Sequence, residues 1–385
     1  MIFSLGRSRC YAAQPLAIEN AGITMELVIN LSMLGPKPTG LGVYSERCAN
    51  GIAERFDVKL IAGAGSLPEG EVLFRAPESV AIGGGKLAAI RRQLWMRSLS
   101  IGAGRLVYSP THHAPSNVVG QIVTVHDLIC LRFPSQNVPQ YLFFRFGLPR
   151  LLKKCRAVFT VSETTRQDIA YTYNYPIEQI FIVPNGVDAS EFIPDPTARP
   201  ADPFLLMVGA SYPHKNVDEV LDQSRLWSGR FRLVVASCGG NYKTHLLQRV
   251  ADLGIVNRVE FCDYLSRDKL IKLYQGCSAL VFPSKWEGFG IPPLEALACG
   301  RPVIVSDLPV HREVLDNSAF FVKFGDTASW AAAFEGVQST AEVTDKLTNA
   351  RSILQRFTWG NALSALENNL LEVEPALVAC RRNVV

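Results

Sequence analysis

The chain has 385 residues, of which 48% are hydrophobic and 19% are charged. This balance excludes an intrinsically disordered protein, and the length predicts two domains of roughly 150 to 200 residues each. The formal net charge of +4 is too small to indicate a nucleic-acid partner. No apolar run approaches the roughly 18 residues that are needed to cross a bilayer, so we expect no membrane-spanning segment.

The nine cysteines contain no CxxC pair and no metal-ligand spacing, and their odd number fits reduced thiols. We therefore expect a cytoplasmic protein. Residues 1–24 precede a second methionine, Met25, and lack the continuous apolar stretch of a secretory signal. This N-terminal extension is expected to be disordered, although translation that begins at Met25 would explain the same pattern.

From Met25 onward, short apolar runs alternate with longer amphipathic ones. The first half of the chain predicts strands at 26–31, 58–62, 106–109, 122–125, 158–161 and 181–183. It predicts helices at 43–55, 86–99, 140–154 and 164–173. Such alternation is typical of a parallel sheet that is covered by helices on both faces.

The segment 193–203 carries four prolines in eleven residues and is interpreted as an interdomain linker. A second series follows, with strands predicted at 204–208, 232–236, 259–261, 279–282, 302–305 and 319–322. Its predicted helices are 217–226, 244–253, 268–276 and 292–299. The α/β pattern thus indicates two doubly wound domains, and ligands of such sheets bind at the carboxyl ends of the strands.

The stretch PSKWEGFGIPPLEALACGRPVIVS at 283–306 carries two glutamates, Glu287 and Glu295. Gly288 and Gly290 allow the backbone to approach a ligand closely, and the two prolines suit the first turn of a helix. We place Glu287 on a loop and Glu295 in the first helical turn. Free amides at a helix start favour anions, and a carboxylate beside them accepts hydrogen bonds from sugar hydroxyls. The pattern therefore suits a ligand that carries both phosphate and sugar.

Six motifs in a fixed order extend this pattern over about 25–359. They are GLGVY at 40–44, VHDL at 125–128, VSETTRQDI at 161–169, VPNGVD at 183–188, VGASYPHKN at 208–216 and the block YLSRDKLIKLYQGCSALVFPSKWEGFGIPPLEALACGRPVIVSD at 264–307. With them the chain resembles the retaining GT-B glycosyltransferases of family four, and most closely the bacterial mannosyltransferases of polysaccharide biosynthesis.

The resemblance implies the GT-B architecture, in which two Rossmann-like domains face each other across a cleft. It implies an acceptor domain over 25–195 and a nucleotide-sugar donor domain over 202–355. The last segment, 356–385, is expected to form a helix that crosses back to the first domain. Closure of the cleft would then exclude water from the activated donor.

A leaving nucleoside diphosphate has to be stabilised by a cation and by amide donors. No two aspartates are separated by a single residue, so we expect no metal and no other cofactor, and Lys215 is the candidate cation. The family often adds an arginine after the glycine that matches Gly209, whereas this chain has Ala210 and Ser211 there. His214 occupies a place where a basic residue is common. Alternatively, Lys215 is an ordinary exposed lysine at a helix start.

Further donor contacts are implied by the resemblance. Glu287 is expected to contact the donor sugar, and Glu295 to accept hydrogen bonds from the ribose hydroxyls. Four backbone amides are expected to touch sugar and phosphate, those of Gly288, Phe289, Gly290 and Ile291. A solvated loop carboxylate at Glu287 and a helix-capping carboxylate at Glu295 remain the alternatives.

On the acceptor side, His126 follows the strand IVTV directly. In similar enzymes the matching histidine lies by the hydroxymethyl group of the donor sugar, although a histidine after a strand is often structural. Asp127 is expected to orient its loop by accepting local hydrogen bonds. His112 and His113 follow another strand and are candidates to line the acceptor cleft.

The loop GPKPTGLG at 35–42 brings the flexible residues Gly40 and Gly42 beside the first helix. It is not a dinucleotide fingerprint, because the third glycine is absent and the loop holds two prolines. Similar loops lie near the donor diphosphate or the acceptor, and a plain turn is the alternative.

The implied activity is retaining transfer of a hexose from a nucleotide-sugar, with mannose from GDP-mannose favoured. The acceptor would be a glycan or a polyprenyl-diphosphate-linked glycan in bacterial polysaccharide biosynthesis. Three alternatives share the fold: a sugar-nucleotide epimerase, a glycan phosphorylase and a noncatalytic sugar-nucleotide-binding protein. The presence of His126, Lys215 and Glu287 together favours the transferase.

The segment 141–156 mixes aromatic and leucine residues with five basic ones, and Arg91, Arg92 and Arg97 lie on another predicted helix. Such a surface could contact the anionic inner face of the cytoplasmic membrane. A core-facing helix with a solvated basic side would show the same pattern, and both interpretations remain open.

Overall fold

A computed structural model describes residues 25–382, except 36–38, 82–84, 86, 199 and 264. The predicted extension 1–24 therefore lies outside the described residues. Two parallel sheets of seven and six strands form the framework. The strands and α-helices are numbered in chain order.

The first sheet holds β1 (Glu26–Asn30), β2 (Val58–Ala62), β3 (Glu71–Arg75), β4 (Arg105–Ser109), β5 (Gln121–Thr124), β6 (Cys155–Thr160) and β7 (Ile180–Ile182), in the order β3-β2-β1-β4-β5-β6-β7. Its helices are α1 (Gly40–Ala53), α2 (Ala88–Ser98), α3 (Ile129–Arg132), α4 (Val138–Leu142), α5 (Leu148–Leu152) and α6 (Glu163–Tyr173). The central strands are buried along nearly their whole length, because helices cover both faces of a parallel sheet.

The second sheet holds β8 (Phe204–Val208), β9 (Arg232–Ala236), β10 (Val259–Phe261), β11 (Ala279–Phe282), β12 (Val303–Ser306) and β13 (Phe320–Val322), in the order β10-β9-β8-β11-β12-β13. The helices that follow β8 are α7 (Val217–Asp222), α8 (Ser224–Trp227), α9 (Gly240–Asp252), α10 (Arg267–Gly276), α11 (Ile291–Ala298), α12 (Pro309–Leu315), α13 (Thr327–Gly336), α14 (Thr340–Arg356) and α15 (Trp359–Val373).

Each sheet reverses its strand order beside its first strand, at β1 and β4 in one domain and at β8 and β11 in the other. A crevice opens at the carboxyl ends of the strands at such a switch point, and this is where ligands of doubly wound sheets bind. The two crevices face each other across a cleft. The predicted α/β class, with two Rossmann-like domains in the GT-B arrangement, is confirmed.

Some boundaries differ from the predicted ones for identifiable reasons. Helix α1 begins at Gly40 rather than at residue 43, because the Thr39 side chain accepts a hydrogen bond from the amide of Gly42 and caps the helix. The helix predicted at 140–154 is interrupted by a π-helical turn, Phe143–Gly147. Pro149 follows this turn and has no N–H with which to continue the regular hydrogen-bond pattern.

The C-terminal helix α15 lies against α1 of the first domain. Arg55, just after the end of α1, forms an ion pair of 2.7 Å with Glu367. The Asn369 side chain donates to the carbonyl oxygen of Ile182, 3.0 Å away. A side chain at Gly51 would lie 2.3 Å from a methyl carbon of Leu363, so a larger residue there would require Leu363 to move. The last helix is thereby tied to the first domain.

Within the described ranges, no helix is both long enough and apolar enough to cross a bilayer. The eight cysteines that lie in these ranges are all free thiols. The observed thiols agree with the interpretation of the cysteine pattern as reduced.

Candidate active site

The cleft between the domains holds a cavity of about 1260 Å³ that is lined by residues of both domains. Eight of the predicted donor-binding residues line its second-domain side, namely Gly209, His214, Lys215, Glu287, Gly288, Phe289, Gly290 and Ile291. The first-domain side includes four of the other predicted residues, Gly40, His113, His126 and Asp127, together with His112. The fold therefore brings motifs that are far apart in the sequence to one cavity.

An ion pair lies at the centre of the predicted donor residues. The ammonium of Lys215 lies 2.6 Å from a carboxylate oxygen of Glu287 and 5.2 Å from the centre of the Phe282 ring. Lys215 ends the short turn Pro213–Lys215 after β8, and Glu287 is buried on the loop after β11. Burial alone would raise the pKa of Glu287, but the charge and hydrogen bond of Lys215 outweigh it and lower that pKa. The buried carboxylate therefore stays ionised in the cleft.

The loop between β11 and α11 depends on two glycines. Gly290 has a backbone φ of 93°, which other residues rarely adopt. A side chain at Gly288 would lie 2.1 Å from the carbonyl oxygen of His126 in the facing domain. Helix α11 then begins at Ile291, and the prolines at its second and third positions remove two of its four free amides. The backbone N–H donors that remain belong to the start of α11 and to the loop with Gly288 and Gly290, which we call the glycine loop.

His126 lies at the end of β5, as predicted from the sequence. Its Nε2 atom is 2.9 Å from the carbonyl oxygen of Pro110, and its ring meets that of Tyr44 edge-on at 4.5 Å. Burial lowers the pKa of His126 to about 4, against an opposing effect of Pro110. The ring is therefore neutral, with its proton on Nε2 and with Nδ1 as a hydrogen-bond acceptor.

Asp127 accepts a local hydrogen bond, from the amide of Ile129 at 2.9 Å. This is the kind of contact that its position after a strand predicts. Burial raises the pKa of Asp127 to about 6, and the negative charge of Glu287 adds to the effect, while Ile129 and Lys215 oppose it. The two carboxyl groups therefore influence each other across the cleft.

Two predicted site residues do not line the cavity. Glu295 lies in the second turn of α11 rather than the first, because the helix begins earlier than predicted. Its carboxylate accepts a hydrogen bond of 2.7 Å from Tyr274 and lies 3.5 Å from Arg267. Gly42 is buried in the first turn of α1 and donates its amide to Thr39. The preceding residues 36–38 of the predicted loop lie outside the described ranges.

His214 is a contact between the domains and not a second cation. Its Nδ1 atom is 2.6 Å from the side-chain oxygen of Gln136, and its ring stacks against Phe133 and Tyr212. Burial lowers the pKa of His214 to about 4, helped by the charge of Lys215 and opposed by Glu287. Gln136 and Phe133 were not predicted, since nothing in the local sequence marks a contact with residues so far along the chain.

The VSETT motif also joins the domains. The hydroxyls of Ser162 and Thr165 donate to the carbonyl oxygen of Gly288 at 2.7 and 3.2 Å. The carboxylate of Glu313, on α12, accepts hydrogen bonds from the backbone amides of Glu163 and Thr164 at 2.6 and 2.9 Å. A carboxylate at a helix N-terminus is stabilising, so the start of α6 is held by the second domain.

Two facing Rossmann-like domains with such a cleft define the GT-B fold. Residues 38–191 match the family described as Glycosyltransferase Family 4, and residues 188–351 match the family described as Glycosyl transferases group 1. Together with a relative that matches along nearly its whole length, these findings show that the chain belongs to this glycosyltransferase family.

That relative is the O-antigen chain mannosyltransferase RfbU of Salmonella typhimurium, which is 33% identical over 90% of this chain and 99% of its own length. The O-antigen chain mannosyltransferase B of Escherichia coli is 24% identical over 86% of this chain and 95% of its own length. Among solved structures, Anabaena Alr3699/HepE in complex with UDP and glucose has a TM-score of 0.67 at 18% identity, over 90% of this chain and 99% of its own.

Proposed function

We propose that the chain is a retaining, metal-independent mannosyltransferase that uses GDP-mannose and extends a glycan of a bacterial surface polysaccharide. The observation that carries this proposal is the Lys215–Glu287 ion pair, which lies beside the glycine loop in the interdomain cleft. The choice of mannose is supported by the two O-antigen chain mannosyltransferases among the relatives. GDP-mannose is the donor that such a sugar suggests.

The ion pair suits a site in which the diphosphate of the donor replaces Glu287 as the partner of Lys215. When a diphosphate enters, its oxygens compete with Glu287 for the Lys215 ammonium, and they carry more charge. The freed carboxylate can then accept hydrogen bonds from the sugar hydroxyls. Amides of Gly288 and Gly290 and the start of α11 add donors near the leaving phosphate. The negative charge that builds up as the sugar departs is thus stabilised by fixed protein groups.

Retention requires no protein nucleophile in this proposal. An oxygen of the leaving phosphate takes the proton of the attacking hydroxyl, and both lie on the same face of the sugar. His126, whose Nε2 proton is held by Pro110, offers Nδ1 to a hydroxyl of the donor sugar. It thereby orients the sugar rather than acting as the base.

We further propose that the acceptor is linked to a polyprenyl diphosphate and is reached at a membrane surface. Helix α2 and the residue before it form an exposed apolar face of Leu87, Ile90 and Leu94. A second exposed apolar face consists of Val138, Leu142 and Phe146. Ile90, Leu94 and Phe143 line the cavity, so both faces border its opening. Exposed arginines flank both faces, which suits an anionic leaflet.

The basic surface differs in one place from the predicted one. Arg92 is buried and not exposed, because it lies on the inner face of α2. Arg156 lies on β6, where it is exposed and forms an ion pair with Glu374. The exposed basic residues near the two apolar faces are Arg91, Arg97, Arg145, Arg150, Lys153 and Lys154.

The direct experiment is incubation of the purified protein with GDP-mannose or UDP-glucose, with and without a polyprenyl-diphosphate-linked glycan. Release of GDP that depends on the acceptor, with an α-linked product by NMR, is expected. Donor binding without release would instead indicate a noncatalytic binding protein, and conversion of the donor sugar without acceptor would indicate an epimerase. Preference for UDP-glucose would overturn the assignment of the donor.

A further inference from the structure

The guanidinium of Arg92 is buried in the wall of the cavity, and no described residue supplies it with a counter-ion. Arg92 is 4% exposed, and it lines the first-domain side of the cleft. One of its terminal nitrogens donates to the carbonyl oxygen of Val80 at 2.7 Å, whereas its Nε atom has no hydrogen-bond partner in the described ranges. Burial is the cause that lowers the pKa of Arg92, to about 10.

Such an arrangement is costly in a protein without a ligand. Removing a charged group from water is unfavourable unless an opposite charge or a full set of hydrogen bonds replaces the lost hydration. Among the described residues, none forms an ion pair with Arg92. The carboxylates that line the same cavity are Asp127 and Glu287, and the latter is paired with Lys215. The guanidinium is therefore free to pair with an anion from outside the chain.

Two histidines adjoin this position. The rings of His112 and His113 lie 4.2 Å apart, and both residues line the cavity with Arg92. Burial lowers the pKa of His112 to about 3 and that of His113 well below its ordinary value, and the charge of Arg92 adds to both effects. Within the described part of the chain, neither ring hydrogen-bonds to another residue, so each neutral imidazole keeps one N–H to donate.

The backbone of the loop that carries these rings is held by hydrogen bonds to neighbouring residues of the first domain. The Asn30 side chain donates to the backbone oxygen of His113 at 2.8 Å and to the hydroxyl of Ser109 at 3.0 Å. The amide of His113 donates to the Thr111 hydroxyl at 3.2 Å. The backbone that carries the two imidazoles is therefore held in place before any ligand arrives, which lowers the entropy cost of binding.

We propose that Arg92, His112 and His113 form a second anion site in the cavity, which binds a phosphate or carboxylate group of the acceptor. The proposal rests on the proposed function, since it assigns the anion to the acceptor and not to the donor. The guanidinium supplies the charge and a bidentate pair of donors, and the neutral imidazoles add hydrogen bonds without repelling it. The anion would be the diphosphate of a lipid carrier or the carboxylate of an acidic sugar in the glycan.

The test uses the full chain with its donor site saturated by GDP, so that added anions cannot occupy the Lys215 side. Titration calorimetry with inorganic pyrophosphate and with glucuronate should then reveal a second binding event for one of them. Pyrophosphate binding would identify the diphosphate as the ligand group, and glucuronate binding would identify the acidic sugar. Binding of neither probe at millimolar concentration would overturn the proposal.

Two variants of residues on α2 distinguish anion binding at Arg92 from a general effect of positive charge. Arg92→Met should weaken the second event about tenfold or more, as expected for loss of a charge-assisted hydrogen-bond donor. Arg97→Met, which changes an exposed arginine of α2, should not weaken it. Equal affinity in the wild type and Arg92→Met would refute the site. Both variants should bind GDP as the wild type does, and failure of the wild type itself to bind GDP would count against the proposed function instead.

Instability of the Arg92→Met protein would not remove the test, because the wild type offers its own readout. In protein labelled with ¹⁵N at histidine, the probe that binds should shift the ring signals of His112 and His113 in the presence of GDP. The ring of His245, exposed on α9 in the second domain, is the internal reference. Shifts that are the same for all three histidines would show a bulk effect and contradict a site at Arg92.

Discussion

The hydroxyl of Ser162 donates a hydrogen bond to the carbonyl oxygen of Gly288, with 2.7 Å between the two oxygens. This bond joins the start of α6 in the first domain to the glycine loop of the second. Thr165 donates to the same oxygen, and the Cα of Gly288 faces the backbone of His126. The loop that is proposed to bind the donor is thus positioned partly by the facing domain, so donor binding and the relative position of the domains are coupled.

Replacement of Gly288 by alanine should separate the domains locally. The added methyl group would lie 2.1 Å from the carbonyl oxygen of His126, so the loop or the facing strand has to shift by about 1 Å. A shift of that size at a catalytic site costs on the order of a hundredfold in rate. We expect kcat/KM to fall by about this factor in Gly288→Ala. Gly229→Ala, at a position with open space around it, should keep full activity, and equal rates in the two variants would contradict this role of Gly288.

Glu313 should contribute to the closed arrangement through the start of α6. Its carboxylate accepts hydrogen bonds from the amides of Glu163 and Thr164, and loss of a comparable helix cap costs about 1 kcal/mol. In Glu313→Ala we expect a lower unfolding free energy by urea titration and a larger radius of gyration by X-ray scattering. Glu335→Ala, at an exposed position on α13, is the matched control. Unchanged scattering in Glu313→Ala would show that other contacts suffice to hold the domains together.

The parts of the fold that the sequence predicts well are those with a strong local signal. The central strands β1, β5 and β8 are short continuous apolar runs, which parallel sheets require. The edge strand β3 has no such signal, because it is only partly buried. Helices α12, α13 and α14 were not predicted, although Ser339 and Glu342 form a capping-box pattern that marks the start of the 17-residue α14.

The candidate site shows the same division between local and distant information. Lys215, Glu287 and His126 lie in motifs whose spacing is visible in the sequence, and all three line the cavity. The burial of Arg92 could not be predicted, because Arg91 is its neighbour on an arginine-rich helix and periodicity does not tell which side faces a cleft. The contact of Glu313 with α6 joins segments about 150 residues apart, and nothing local marks it.

Loss of the Lys215 ammonium should lower the rate of transfer far more than loss of divalent ions. If Lys215 stabilises the leaving diphosphate, Lys215→Ala should reduce kcat on the order of a hundred- to a thousandfold. Lys285→Ala, at an exposed position two residues before Glu287, should retain activity. Wild-type activity should be unchanged in excess chelator. Activity that disappears in chelator and returns with manganese would contradict the metal-independent proposal.

The two apolar faces beside the cavity should bind vesicles that contain anionic lipid. Because Ile90 and Leu94 are each more than half exposed, their replacement by serine removes apolar area that would enter the membrane interface. We expect Ile90→Ser/Leu94→Ser to sediment less with phosphatidylglycerol vesicles and to use a lipid-linked acceptor less well than a free glycan. The control Leu247→Ser changes an exposed leucine of the second domain. Equal sedimentation of both variants would argue against a membrane contact at α2.

Stability should fall on acidification, because buried histidines are neutral in the folded protein. Burial lowers the pKa of His112 to about 3 and those of His126 and His214 to about 4, from an ordinary value of 6.5. Between pH 6.5 and about 4 the unfolded chain therefore binds more protons than the folded one, and the unfolding free energy decreases as the pH falls. The pKa of Asp127, raised to about 6, and that of Glu295, also raised by burial, act in the opposite direction. These are two groups against five, because burial also lowers the pKa of His113 and of His311.

The dependence of the unfolding free energy on pH can be assigned to individual histidines by replacing one histidine at a time. Each buried histidine contributes up to about 1.4 kcal/mol per pH unit within this window. Urea unfolding of His112→Gln between pH 4.5 and 7 should therefore show a flatter dependence on pH than the wild type, whatever its stability at neutral pH. Asn241→Ala, which changes an exposed side chain that has no titratable group, should reproduce the wild-type slope. If His112→Gln keeps that slope, the imidazole of His112 is accessible to protons in the folded protein, and the neutral state that is assigned to it in the cavity wall is wrong.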